Sequence, residues 1–155
     1  MRALLQRVTR AKVRVGDRVT GAIGPGLLVF LGVGHGDDAA TADALARRIA
    51  ELRIFEDDAG LTNRSLLDTG GEALVVSQFT LYADTRRGRR PGFSDAAPPE
   101  EAFELWQRVA AGLEAQGVRV GLGEFGAEMA VELVNDGPFT IWLDTADKAK
   151  PTSGA

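Results

Sequence analysis

The sequence has no cysteine, a single histidine, and aromatic residues at only 6% of its 155 positions. The missing thiols exclude disulfide bridges and thiolate nucleophiles, and they leave a cysteine–histidine metal centre without ligands. The lone histidine, His35, lies in a glycine-rich loop ahead of Asp37 and Asp38, where a structural or solvent-exposed role is expected. A serine hydrolase normally needs a histidine base, and this one is remote in sequence from every candidate hydroxyl. Long apolar runs are also missing. The longest, residues 27–33, has the length of a strand and not of a membrane span. The first ten residues alternate in polarity and do not build an apolar leader, so a cytoplasmic protein is expected. Nor is there an excess of positive charge. The formal net charge of -4 argues against a general nucleic-acid-binding face, although local basic clusters are free to act.

Glycine is plentiful, at 19 residues, and cuts the chain into short elements. Alternation through Ala3, Leu5, Val13 and Val15 predicts a long strand, bent near residues 9–11. Gly16-Asp17 is a hairpin turn into residues 19–23, and Gly24-Pro25-Gly26 turns the chain into the buried run 27–33. Gly32, Gly34 and Gly36 lack the Lys-Ser/Thr of a phosphate loop and read as tight packing. Ala42, Leu45, Ala46, Ile49 and Leu52 predict a helix over 38–53, capped by Asp37 or Asp38. Residues 57–60 form a turn without calcium-loop spacing, and 61–68 read as irregular. Residues 73–76 are a central strand. A second helix starts at Pro98 or Pro99, carries Ala102, Leu105, Trp106, Val109 and Leu113 inward, and ends at Gly117. Strands follow from Val118 and over 129–134, then a tight polar connection at 135–138 and a last strand at 139–143. The first three strands are joined by turns too short for crossover helices, so the pattern is α+β: one domain over 1–145, a mixed and largely antiparallel sheet with two main helices. The tail 146–155 has no periodicity and is expected to be loose and dispensable.

The chemistry concentrates where the central strand stops, at residues 77–82, S-Q-F-T-L-Y. Ser77, Gln78 and Thr80 set polar groups at a strand's exit, and Arg86, Arg87, Arg89 and Arg90 follow in a basic loop. Ser77 or Thr80 suits a nucleophile, but equally a strand-end residue bonded to backbone. The arginines suit phosphate contacts or a solvated loop, and Phe79 and Tyr82 suit a platform for a base, or core packing for Phe79. Gly137-Pro138 reads either as an ordinary turn or as an unusual backbone that projects carbonyls.

Several segments together carry a family resemblance: Gln6-Arg7-Val8, Gly24-Pro25-Gly26-Leu27-Leu28-Val29, Ser77-Gln78-Phe79-Thr80-Leu81, Arg90-Pro91-Gly92-Phe93-Ser94 and Asn135-Asp136-Gly137-Pro138-Phe139-Thr140. The chain resembles the bacterial D-aminoacyl-tRNA deacylases, the D-tyrosyl-tRNA(Tyr) deacylase family, over nearly its whole length. The resemblance implies a two-fold homodimer with active sites at the subunit interface, and no cofactor or metal. It implies that Ser77, Gln78, Phe79 and Thr80 form the catalytic segment. Gly137-Pro138 would be a cis dipeptide that reaches into the partner's pocket and rejects L-enantiomers. Arg7, Met129, Asn135 and Thr140 would support the pocket, and Phe79 with Arg86, Arg87, Arg89 and Arg90 would meet the tRNA. The implied substrates are D-aminoacyl-tRNA and glycyl-tRNA. Two mechanisms stay open: water attack assisted by the terminal 2′-hydroxyl with backbone N–H groups around Gln78 holding the oxyanion, or direct attack by Thr80. The competing expectations are a non-catalytic RNA-binding or protein-interaction module of the same fold, and a hydrolase of small free esters.

Overall fold

The computed structural model describes residues 1–147, so the expected tail lies outside the described residues from 148 onward. Strand β1 (Arg2–Val15) is the axis of the sheet. One edge pairs antiparallel with β8 (Ala130–Asp144), from Arg2 opposite Asp144 to Arg14 opposite Ala130. The other edge is shared: its first half pairs antiparallel with β3 (Gly26–Gly32), its second half with β2 (Arg18–Ile23). Beyond β3 the sheet turns parallel, through β6 (Glu72–Ser77) to β7 (Arg119–Leu122). Helix α1 (Ala39–Glu51) provides the crossover between β3 and β6 that a parallel pair requires.

The strictly apolar runs belong to strands with both faces covered. Leu27, Val29, Leu31, Ala73 and Val75 join one core with Leu45 and Ile49 of α1 and Trp106, Val109 and Leu113 of α3 (Pro99–Ala115). Their alternate neighbours Leu28, Leu74 and Val76 join a second core with Val8, Ala11, Val13 and Ile23. Strand β1 serves both: Ala3 and Leu5 lie in the first core, Val8 and Val13 in the second. The change of face falls where its burial alternation breaks, at Arg7-Val8 and Thr9-Arg10. The expected bend is therefore a switch of face within one continuous strand.

Three expectations need correction. Residues 61–68 are ordered as β5 (Thr62–Arg64), paired antiparallel with β4 (Phe55–Glu56), and the start of a third, short helix α2 (Leu66–Thr69). Ser65 forms a capping box: its hydroxyl accepts from the Asp68 N–H at 3.1 Å, and the Asp68 carboxylate accepts from the Ser65 N–H at 2.9 Å. Residues 135–138 do not separate two strands but lie within β8. Met129 stands just before that strand, not on it. Helix α1 is capped by Asp38, whose carboxylate accepts from the Thr41 N–H at 2.9 Å and from its hydroxyl at 2.8 Å. Among the described residues no helix is long and apolar enough to cross a membrane.

Candidate active site

Strand β6 stops at Ser77 because the next backbone donor is the last rung: Gln78 N–H donates to the Leu31 carbonyl at 2.8 Å. The chain then makes one 3-10 turn, Phe79–Tyr82. Its first bond runs from Leu81 N–H to the Gln78 carbonyl at 3.3 Å. The N–H groups of Phe79 and Thr80 precede that bond, and among the described residues neither donates to a backbone carbonyl. The Gln78 side-chain amide donates to the Thr80 hydroxyl oxygen.

This turn borders a groove of about 900 Å³. Ser77, Gln78 and Phe79 line it beside Leu31 and Val76, and so do Met129, Phe125 and Trp106. Thr80 does not line it. Phe79 is 58% exposed and is not a core residue. Phe93 meets it edge to face, with ring centres 5.1 Å apart. Sequence reasoning missed Phe93, Trp106 and Phe125 as groove residues. Helical spacing marked Trp106 as core, which its 3% exposure supports, but gave no hint that the groove reaches it.

His35 also lines the groove. Its Nε2 lies 2.7 Å from the Ser94 carbonyl, and since a carbonyl only accepts, Nε2 carries the proton. Ala97 N–H donates to the Val33 carbonyl at 2.9 Å. Together these bonds stitch the loop bearing Phe93 to the end of β3, so the expected structural role of His35 is exerted on the groove wall.

The basic loop closes on itself. Asp84 and Gly92 exchange backbone bonds of 2.9 and 2.7 Å at its base. The Asp84 carboxylate accepts from Arg86 Nε and Nη2, each at 2.9 Å, and from the Arg86 N–H at 3.0 Å. Arg86 is thus engaged in holding the loop, whereas Arg87, Arg89 and Arg90 are exposed, and none of these arginines lines the groove. The Arg86 guanidinium, then its N–H, holds the Asp84 carboxyl well below the usual carboxylate range. A depressed pKa gives stability that is present above the unfolded value and lost as pH falls through the folded one. The Arg86 amide is therefore expected to stay protected from exchange at pH about 4, the usual carboxylate midpoint, and to open only in stronger acid. Equal protection in Asp84→Asn at that pH would contradict this.

A second cluster forms on β8. Asn135 pairs with Val8 and Thr140 with Gln6, so residues 136–139 bulge out opposite Arg7 alone. The Asn135 side chain closes the bulge: its Oδ1 accepts from the Phe139 N–H at 2.8 Å, and its Nδ2 donates to the Phe139 carbonyl at 3.1 Å. Arg7, only 7% exposed, braces it from below. Its Nε donates to the Asp136 carbonyl at 3.1 Å, its Nη1 to the Ile54 carbonyl at 2.9 Å, and its guanidinium lies 4.6 Å from the Phe139 ring centre. The Gly137-Pro138 peptide is cis, both residues are exposed, and Gly137 has φ +140°. Thr140 accepts a hydrogen bond from the Gln6 side chain at 3.3 Å. Within one chain, Arg7, Asn135, Gly137, Pro138 and Thr140 are brought together here and none of them lines the large groove. Among the described residues, no group of three or more metal-ligating side chains converges.

The mixed sheet and its aromatic-walled groove define an α+β domain with a binding cleft at the strand exit. The chain belongs to the D-Tyr-tRNA(Tyr) deacylase family, whose model matches residues 4–144. Proteins called D-aminoacyl-tRNA deacylase are similar over nearly the whole length. That of Roseiflexus castenholzii is 64% identical, over 97% of this chain and 96% of its own. That of Thermomicrobium roseum is 62% identical, over 95% and 96%. A solved structure described as "c-Myc DNA Unwinding Element Binding Protein" superposes with a TM-score of 0.87 at 40% identity, over 93% of this chain and 98% of that one. A probable eukaryotic D-amino acid tRNA deacylase, at 18% identity and a TM-score of 0.78 over 92% and 97%, shares the fold.

Proposed function

We propose that this protein hydrolyses the ester of D-aminoacyl-tRNA, releasing free tRNA and the D-amino acid, and that glycyl-tRNA is a second substrate. The observation that carries this reading is the strand exit at Ser77–Gln78–Phe79, which borders a groove with aromatic walls in a chain of this family. Phe79 offers an exposed face to the terminal adenine. The ester carbonyl lies over the turn, where the N–H groups of Phe79 and Thr80 receive the developing oxyanion. Water adds to the carbonyl carbon, and the tetrahedral intermediate then breaks its bond to the 3′-oxygen. The neighbouring 2′-hydroxyl takes up the proton that the adding water sheds as it passes its own to that leaving oxygen, so both ribose hydroxyls are restored. Ser77 and Gln78 hold the acyl group and the turn.

The selectivity element is the bulge at Gly137-Pro138. In a two-fold dimer, each protomer's bulge enters the other's groove. A D-enantiomer, held by ammonium and ester, turns its side chain away from this wall, whereas an L-enantiomer turns it into the wall. Glycine has no side chain to exclude and is accepted. The contacts of Arg7, Asn135 and Phe139 give the wall the rigidity that such rejection needs.

Arg87, Arg89 and Arg90 supply the phosphate contacts, with Arg86 as the brace of their loop. Few phosphates are touched, which suits a chain of negative net charge. The logarithm of tRNA affinity is expected to fall with the logarithm of salt concentration, with a slope of about -2 to -3 for three such contacts. A slope near zero would rule out phosphate contacts by the loop.

A second reading, a nucleic-acid-binding module without catalysis, draws on the description of the structure 40% identical to this chain. Incubating D-tyrosyl-tRNA with the purified dimer separates the two. Release of D-tyrosine, with small free esters left intact, is expected. Tight binding of the tRNA without ester loss would favour the binding module.

A further inference from the structure

Strand β3 ends beneath the 3-10 turn, and it ends in glycines. A Cβ at Gly32 would stand 3.0 Å from the Gln78 carbonyl oxygen and 3.2 Å from the Leu81 Cβ. One at Gly34 would stand 2.7 Å from the Tyr82 ring. The absence of those side chains lets the turn lie close against the sheet. Gly32 and Gly34 are thus a seat for the segment carrying Gln78, Phe79 and Thr80.

The far end of the same turn is clasped. Arg2 reaches across from the start of β1, its guanidinium 4.4 Å from the centre of the Tyr82 ring. Its Nη1 donates to the Leu81 carbonyl at 2.9 Å, and its Nε donates to the Asp144 carboxylate at 3.1 Å. Trp142, on the same strand as Asp144, lies 5.7 Å from the guanidinium. Arg2 therefore ties the turn to β8, whose middle carries the Gly137-Pro138 bulge. A planar fork is suited to this: one nitrogen is anchored by a carboxylate while another holds a carbonyl. The turn is a single 3-10 cycle, so fixing the Leu81 carbonyl also fixes where the N–H groups of Phe79 and Thr80 point.

We propose that Arg2 is a positioning residue for the deacylation, holding the Leu81 carbonyl and with it the turn that carries Gln78, Phe79 and Thr80 at the edge of the groove. The proposal rests on the function argued above. Arg2 touches no substrate and acts through the turn alone.

The test compares full-length Arg2→Met and Arg2→Lys proteins with the parent, by steady-state cleavage of D-tyrosyl-tRNA and by amide exchange across residues 78–82. Methionine keeps the apolar stem on Tyr82 and removes the donors. Arg2→Met is expected to lose about 10- to 100-fold in kcat, the scale of a small misplacement at a reacting centre, with KM within about twofold. Lysine is expected to restore part of kcat, since one ammonium can reach the Leu81 carbonyl but cannot also hold Asp144 as a fork. Exchange across 78–82 is expected to quicken in Arg2→Met. A folded Arg2→Met with parental kcat overturns the proposal, and so does a rise in KM at constant kcat. A parent protein inert on D-tyrosyl-tRNA would overturn the proposed reaction, and exchange would still decide the clasp: unaltered exchange at 78–82 overturns it. If Arg2→Met does not fold, Gly34→Ala disturbs the turn from the sheet side through Tyr82. The same loss of kcat and faster exchange are expected there, and parental values for both would overturn the proposal.

Discussion

Replacing Arg7 by methionine is expected to cost the fold about 2–4 kcal/mol and to lower the preference for D- over L-tyrosyl-tRNA by about tenfold or more. The stability loss follows from burial. Arg7 is the charged side chain most deeply enclosed among the described residues, and its Nη1 satisfies the carbonyl of Ile54, itself only 7% exposed. Methionine leaves that carbonyl unpaired where water does not readily reach. The loss of discrimination follows from geometry. Arg7 is the one β1 residue opposite the 136–139 bulge, and it holds both ends, through the Asp136 carbonyl and the Phe139 ring. Without it the Asn135 clamp remains, but the wall can yield to an L side chain. Urea unfolding gives the first quantity, and cleavage rates on the matched esters give the second. A variant with parental midpoint and parental selectivity would show that the bulge holds itself.

The second large effect belongs to the substrate. Removing the 2′-hydroxyl of the terminal adenosine is expected to slow cleavage by about 100-fold or more, the range of a lost proton-transfer group, whereas Thr80→Ala is expected to stay within about tenfold of the parent. Thr80 does not line the groove, and its oxygen already accepts a hydrogen bond from Gln78. His35, the only histidine, is held by the Ser94 carbonyl through its Nε2. A threonine nucleophile needs a base, and among the described residues none is bonded to this one. Single-turnover cleavage of the deoxy and ribo substrates by both proteins checks the pair of expectations. A deoxy ester cleaved at the parental rate, together with an inert Thr80→Ala, would assign the attack to threonine.

Much of the architecture was legible because its signals are local. Period-two and helical patterns marked β1, α1 and α3, and the continuous apolar runs marked β3 and β6, whose two faces lie in the two cores. The capping box at Ser65 and Asp68 was equally readable, yet the polar stretch around it passed for a loop. Other features depended on pairing across the sheet. Asn135-Asp136-Gly137-Pro138 looks like a turn in sequence, and only the register of β8 against β1 makes it a bulge within one strand. The groove was legible at Ser77–Gln78–Phe79, where polarity breaks an apolar strand. It was not legible at Phe93, Trp106 and Phe125, which come from three separate segments and meet only in the fold. Arg86 reads as a free cation in the loop, and its capture by Asp84 depends on a loop closure that composition does not reveal. Likewise Arg2 looks like a polar residue on an alternating strand until the turn is folded over it.

The measurement that bears most directly on the central claim is the rate of deacylation of matched D- and L-tyrosyl-tRNA by purified, metal-depleted protein, with its oligomeric state established beforehand. Rapid loss of the D-ester is expected, with the L-ester spared by a factor of about 100 or more, as a rigid steric wall allows. Equal cleavage of both esters, or cleavage of neither by folded protein, would contradict the assignment of a chirality-selective deacylase.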